Sequence, residues 1–207
     1  MTDSSRLDRL LTPPTPVAER ALAVVRAHAS PALADHSLRS FAFAVELGAS
    51  EGLEVDVELL WVAAMLHDLG LAPSFDSHTV PFERAGADVA RVFAAGAGWS
   101  DDRGRRVAEV IERHMWPSVA AELDVEGHLL ERATSLDVSG AAPDDWAPGF
   151  VRAVVERLPR GAFGDAFAVL AAEQAHRKPS SEAGRSVRAG LPARARANPL
   201  DAVPSAL

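Results

Sequence analysis

A histidine and an aspartate stand side by side, His67-Asp68, directly after eight apolar residues, Leu59 to Leu66. A run of that kind belongs to a buried helix, and a carboxylate at its end is costly unless something neutralises it. A divalent cation does so economically, because imidazole and carboxylate both ligate zinc, iron and manganese. Two further candidates flank the pair: His36 in Asp35-His36-Ser37-Leu38-Arg39, and Asp137 in Ala133-Thr134-Ser135-Leu136-Asp137. Taken singly, each has a plain reading. His36 reads as a partly buried histidine capping local backbone, and Asp137 as an aspartate at a helix C-terminus meeting a salt-bridge partner. Taken together, His36, His67, Asp68 and Asp137 make a set of four ligands that suits one divalent ion and leaves room for water. Such an ion lowers the pKa of its water towards neutrality in a shielded cavity. Neighbours on a helix diverge by about 100°, so His67 and Asp68 share an ion only if it sits near the helix end, with ligands converging from elsewhere.

The elements that must position these groups are legible as helices. Apolar spacing predicts helices over about 17–28, from near Ala34 to Gly48 or Gly52, and over 59–69, with Asp56 as N-cap of the third and Gly70 as its stop. Residues 71–81 read as a loop entering the pocket. Further helices are expected at 82–95, from Ser100 or Asp101 to near His114, and at about 124–138, 148–158 and 163–176. No run alternates with period two, so the fold class is all-α, a helical bundle with no significant sheet. Residues 1–15, with Thr12-Pro13-Pro14-Thr15-Pro16, read as an extended N-terminal arm, and 16–177 as the helical core. Residues 178–207, rich in Pro and Arg and poor in large apolar groups, read as a flexible tail.

Composition narrows the partners. The 207 residues suffice for one domain with a substantial core. A net charge of −8 argues against nucleic acid or an anionic membrane as partner, leaving a small-molecule substrate. The absence of cysteine excludes disulfides, thiolate metal sites and cysteine nucleophiles. The N-terminal residues lack an apolar signal core and no stretch approaches membrane-spanning length, so a cytoplasmic protein is expected. Alanine-rich helix faces would allow a homodimer.

The spaced pattern H…HD…D resembles the signature of the HD superfamily of metal-dependent hydrolases. Within it, the segments His36-Ser37-Leu38-Arg39, His67-Asp68-Leu69-Gly70, Phe82-Glu83-Arg84-Ala85-Gly86-Ala87-Asp88, Arg113-His114 and Leu136-Asp137-Val138 resemble the cyanamide-hydratase-like branch, over roughly residues 34–140. Dinuclear members often carry His-Glu-x-x-Gly-Ala, whose histidine binds a second ion; here Phe82 stands in that place, which favours a single metal, zinc first and iron or manganese otherwise. The resemblance implies a metal-bound water adding to the nitrile carbon of cyanamide or a related nitrile. His114 would orient substrate or shuttle a proton, and Glu83 would serve as a second acid/base candidate. His78 reads as a solvated loop residue or an entrance group, and Trp116 as a pocket wall or core residue. The alternative within the superfamily is a nucleotide or phosphoester phosphohydrolase. Leu71 occupies the place where nucleotidases of the superfamily often carry a glutamate. Arg84 is the one basic residue in 71–84, alongside Arg39 and Arg113 elsewhere.

Overall fold

The computed structural model describes residues 3–202, and among them the regular elements are α-helices and short 3-10 turns, as an all-α protein requires. The apolar run becomes α4 (Val57–Leu66). Asp56 caps it, its Oδ1 accepting the Leu59 N–H at 3.0 Å. From Leu59 onward every residue of α4 is at most 2% exposed, so the helix is wrapped on all sides. Its one bulky polar atom is satisfied: Trp61 Nε1 donates to the Ala18 carbonyl of α2 (Pro16–His28) at 2.9 Å. The long central helix α3 (Pro31–Glu51) starts three residues earlier than the apolar spacing indicates. Ser30 caps it and Pro31 takes its first turn, where a missing N–H costs nothing.

The layers around α4 follow from these faces. Helix α3 packs between α4 and α7 (Val125–Ser139), while α5 (Phe82–Gly96) and α6 (Asp101–Arg113) pair with each other and close the side of α4. Helices α8 (Pro148–Arg157) and α9 (Phe163–Arg177) complete the bundle. Two glycines let α5 approach the His67-Asp68 turn closely. A Cβ on Gly70 would overlap the Phe82 backbone carbonyl, and one on Gly86 would lie 2.8 Å from the His67 carbonyl oxygen.

Both ends of the chain depart from expectation. The N-terminal segment is not extended: it forms α1 (Asp3–Leu10), with Leu7 buried to 2% in the core. The Pro cluster that suggested an extended arm only separates α1 from α2. The C-terminal segment folds as α10 (Glu182–Arg188), α11 (Leu191–Arg196) and a 3-10 turn at Pro199–Ala202. It lacks large apolar groups because it docks by close backbone approach. Ala183, Gly184 and Ala195 are buried, and a Cβ on Gly164 of α9 would strike the Ala195 carbonyl. Residues 1–2 of the expected arm and 203–207 of the expected tail lie outside the described residues. No helix among the described residues is long and apolar enough to cross a membrane.

Candidate metal centre

His67 closes α4 in helical geometry, but Asp68 leaves the helix at φ −99°, ψ 7°. That turn resolves the angular difficulty of adjacent ligands, since the two side chains no longer radiate from one helix. His36, from the first turns of α3, meets them. Its Nε2 lies 3.2 Å from His67 Nε2 and 3.5 Å from Asp68 Oδ2, and His67 Nε2 lies 3.4 Å from the same oxygen. All three residues are buried, and among the described residues they form the one group of His, Asp or Glu side chains able to converge on an ion.

The other ring nitrogens decide what this triangle presents. His36 Nδ1 lies 2.6 Å from Asp137 Oδ2, and His67 Nδ1 lies 2.8 Å from the Ala64 carbonyl. Carboxylates and carbonyls only accept, so both Nδ1 atoms carry the proton and each neutral ring offers a bare Nε2 lone pair. Two lone pairs and a carboxylate oxygen facing one another at these distances repel unless a positive charge lies between them. Asp68 Oδ2 is buried and has no hydrogen-bond partner. A tetrahedral ion with bonds of about 2.0–2.1 Å spaces its ligand atoms by about 3.3–3.4 Å, close to the observed edges. The donors therefore fit a divalent cation. Without one, a proton fills part of the gap: burial opposes charge on His67, but the Asp68 carboxylate outweighs it and draws His67 upward. Burial pushes Asp68 up as well, yet the His67, His36 and His114 rings prevail and hold it well below the carboxylate range.

Asp137, expected as the fourth ligand, is not brought into this group. Arg39 Nε donates to its Oδ1 at 2.8 Å and Arg39 Nη2 to its Oδ2 at 2.9 Å, while Arg160 Nη1 reaches Oδ1 at 3.1 Å. With His36 on Oδ2, both oxygens are engaged. Burial alone would raise this carboxyl, but Arg39 and His36 outweigh it and hold it far down. The plain salt-bridge reading of Asp137 describes its contacts in this structure.

The three converging groups lie on a cavity of about 280 Å³. His114, at the end of α6, lines it too. Its Nδ1 donates to the Ile111 carbonyl, which leaves Nε2 bare and 3.8 Å from Asp68 Oδ1. Burial, reinforced by the His67 charge, pushes His114 down to about 3, so the ring is neutral at pH 7. Trp116 lines the cavity as a wall residue, and Phe82 lies against His114 with ring centroids 5.8 Å apart.

Glu83 is not on this cavity. It is buried at the start of α5, where its nearest charges are Glu182, Lys178 and Glu112, and burial raises it. The 71–81 loop contributes nothing to the lining either, because α9 holds it away. Gln174 donates to Asp76 at 2.8 Å, and Lys178 Nζ to the Ser77 and Val80 carbonyls at 2.7 and 2.9 Å. His78 accordingly sits over α9 on a separate surface depression.

Sequence reasoning passed over three charged residues of the cavity. Glu131 is buried on α7, raised by burial, and accepts from Ser135 Oγ at 3.0 Å. A carboxylate after Leu129-Leu130 carried the same signal that singled out Asp137. Arg185 and Arg194 reach the cavity from α10 and α11, a position no pattern in the C-terminal segment announces.

The family model for the HD domain matches residues 33–139, half of the chain. Two curated proteins of Saccharomyces cerevisiae (strain ATCC 204508 / S288c), cyanamide hydratase DDI2 and cyanamide hydratase DDI3, are each 30% identical to it over 149 residues. Those matches cover 70% of this chain, which spans 66% of the length of each yeast relative.

Proposed function

The chain belongs to the HD domain family, and from that membership we propose that it is a metal-dependent hydratase or hydrolase of a small molecule, with cyanamide or a related nitrile as substrate. The observation that carries this reading is the convergence of two bare imidazole lone pairs and an unpartnered carboxylate oxygen on one cavity wall. His36, His67 and Asp68 would hold one divalent cation, with zinc as the first candidate and iron or manganese as the alternatives. When bound, zinc supplies a more acidic water and a Lewis acid for a polarised carbon.

The remaining steps fall to the chain's own side chains. Adding water across C≡N removes a proton from the oxygen and delivers one to the nitrogen. His114, neutral and with Nε2 facing the Asp68 edge of the site, accepts a hydrogen bond and orients the attacking oxygen or the substrate amine. Glu131, its carboxyl raised by burial and accepting from Ser135 Oγ at 3.0 Å, lines the same wall as the group placed to pass a proton to the nitrogen that gains charge. Trp116 and Phe167 supply apolar surface to the rest of the lining.

The test is urea release from cyanamide by the zinc-loaded chain. His114→Ala should lose turnover while retaining about one zinc per chain by elemental analysis, whereas His67→Ala and Asp68→Ala should lose the metal itself. A zinc-loaded chain that releases no urea overturns the substrate assignment. A second reading, phosphoester hydrolysis, is favoured by one specific observation: Arg185 and Arg194 line the cavity and offer guanidinium donors to a phosphate. Hydrolysis of a nucleoside monophosphate, abolished in Arg185→Gln/Arg194→Gln, would establish it in place of hydration.

A further inference from the structure

Beyond the matched segment, the last described turn of the chain grips the end of the helix that carries Asp137. Helix α7 leaves its final carbonyls without intrahelical partners, as every helix does. Asn198 Nδ2 donates to one of them, Asp137 at 2.9 Å, and to the Leu136 carbonyl at 3.2 Å, which also accepts from the Gly140 N–H. The Asn198 side chain is itself fixed, since Leu200 N–H donates to its Oδ1 at 2.9 Å. Arg160 adds a second hold: Nη1 donates to the Asp137 carbonyl and reaches its Oδ1 at 3.1 Å, and Nε is anchored by Asp201 Oδ1 at 2.6 Å. The helix stops at Gly140 with φ 67°, and Pro199 packs so closely there that a Cβ would collide with its ring. Arg160 and Asn198 are each 3% exposed. Arg160 also lies over the Phe163 ring, 5.2 Å from its centroid, as Arg39 does at 5.3 Å, and His36 stacks on the same ring at 4.7 Å.

We propose that Arg160, Asn198 and Asp201 are positioning residues of the metal centre. Through the last turn of α7 they hold the Asp137 carboxylate against His36 Nδ1, which fixes the proton there and keeps Nε2 free to ligate. The inference rests on reading His36, His67 and Asp68 as ligands, and it makes the 198–201 turn part of the working site although it lies about 60 residues past the matched segment. Partners that orient a ligating histidine are typically worth about 10–100-fold in metal affinity.

The test uses the full chain with Asn198→Ala and Asp201→Asn, and with Val25→Ala on α2 as a core variant remote from the site. Zinc affinity is read by competition with a chromophoric chelator, and the His36 tautomer by 15N NMR of the metal-free protein. Expected are a single Nδ1–H tautomer in the parent, mixed tautomers in both site variants, and about a 10-fold or greater loss of zinc affinity. Val25→Ala should lose thermal stability but keep both the tautomer and the affinity. Parent-like tautomer and affinity in the site variants, or an equal zinc loss in Val25→Ala, overturn the proposal. Should the parent take up no zinc, the ligand reading fails by itself, and the metal-free tautomers still decide whether the turn positions His36.

Discussion

Asp137→Asn removes the carboxylate that stands between two fully buried guanidinium groups. Arg39 and Arg160 both contact the carboxylate, and neither side chain is more than 1% exposed. Breaking a buried ion pair by deleting one partner costs about 3–5 kcal/mol, because the survivor stays buried and uncompensated. Here Arg39 loses its ion-pair partner and Arg160 keeps only Asp201, and the asparagine amide would turn an N–H towards an arginine N–H. For a chain of this size each kcal/mol lowers Tm by about 2–4 °C, so the variant should melt about 6–20 °C below the parent at pH 7. Arg39→Met should cost a similar amount, yet the double variant should cost clearly less than the sum of the two, since it removes a pair rather than orphaning a charge. The assay is unfolding followed by circular dichroism with excess chelator, so that metal binding does not enter. The sign of the pH dependence is fixed as well. A carboxyl held far down contributes stability that is fully present above its unfolded pKa of about 3.9 and is lost as pH falls through the folded value. The penalty of Asp137→Asn should therefore shrink in acid. A loss below about 1 kcal/mol at pH 7, or strictly additive single variants, would refute the argument that this carboxylate is the counter-charge of the core.

Two other perturbations probe separate features. Glu83 is buried with Oε2 unpartnered and its carboxyl is raised, so its proton stabilises the fold at low pH and that contribution is lost as pH rises through the folded pKa. Glu83→Gln should gain Tm relative to the parent at pH 8 and not at pH 4; a pH-independent difference would contradict this. Gly86→Ala sets a methyl 2.8 Å from the His67 carbonyl oxygen, so α5 or the His67-Asp68 turn must shift. It should weaken zinc binding as well as stability, checked by the chelator competition.

The helices around the site were legible because large apolar residues recur at helical spacing and cap residues announce the starts, as Asp56 and Ser100 do. His36, His67 and Asp68 were legible because expensive polar groups in an apolar context demand a reason. The same rule selected Asp137 but did not say which reason applied. The partner lay on Arg39, one turn along α3, and on Arg160, and only the fold brings those three together. The C-terminal helices were invisible for a different cause. Apolar periodicity weighs side-chain bulk, whereas α10 and α11 dock through Ala183, Gly184 and Ala195, whose contribution is closeness rather than area. Glu131 stood in plain view and was passed over, while Arg185 and Arg194 became functional candidates only once those helices were in place.

That backbone-to-backbone seat of α11 on α9 also limits how the cavity can change over evolutionary time. A wall made of bulky side chains can be widened by trimming them, one substitution at a time. Gly164 and Ala195 leave almost nothing to trim, and a Cβ added at Gly164 collides with the Ala195 carbonyl. Variation in what the cavity admits is thus channelled into the few side chains that project from this wall, Arg185, Ser186, Leu191 and Arg194, while the wall itself keeps its distance from the metal ligands.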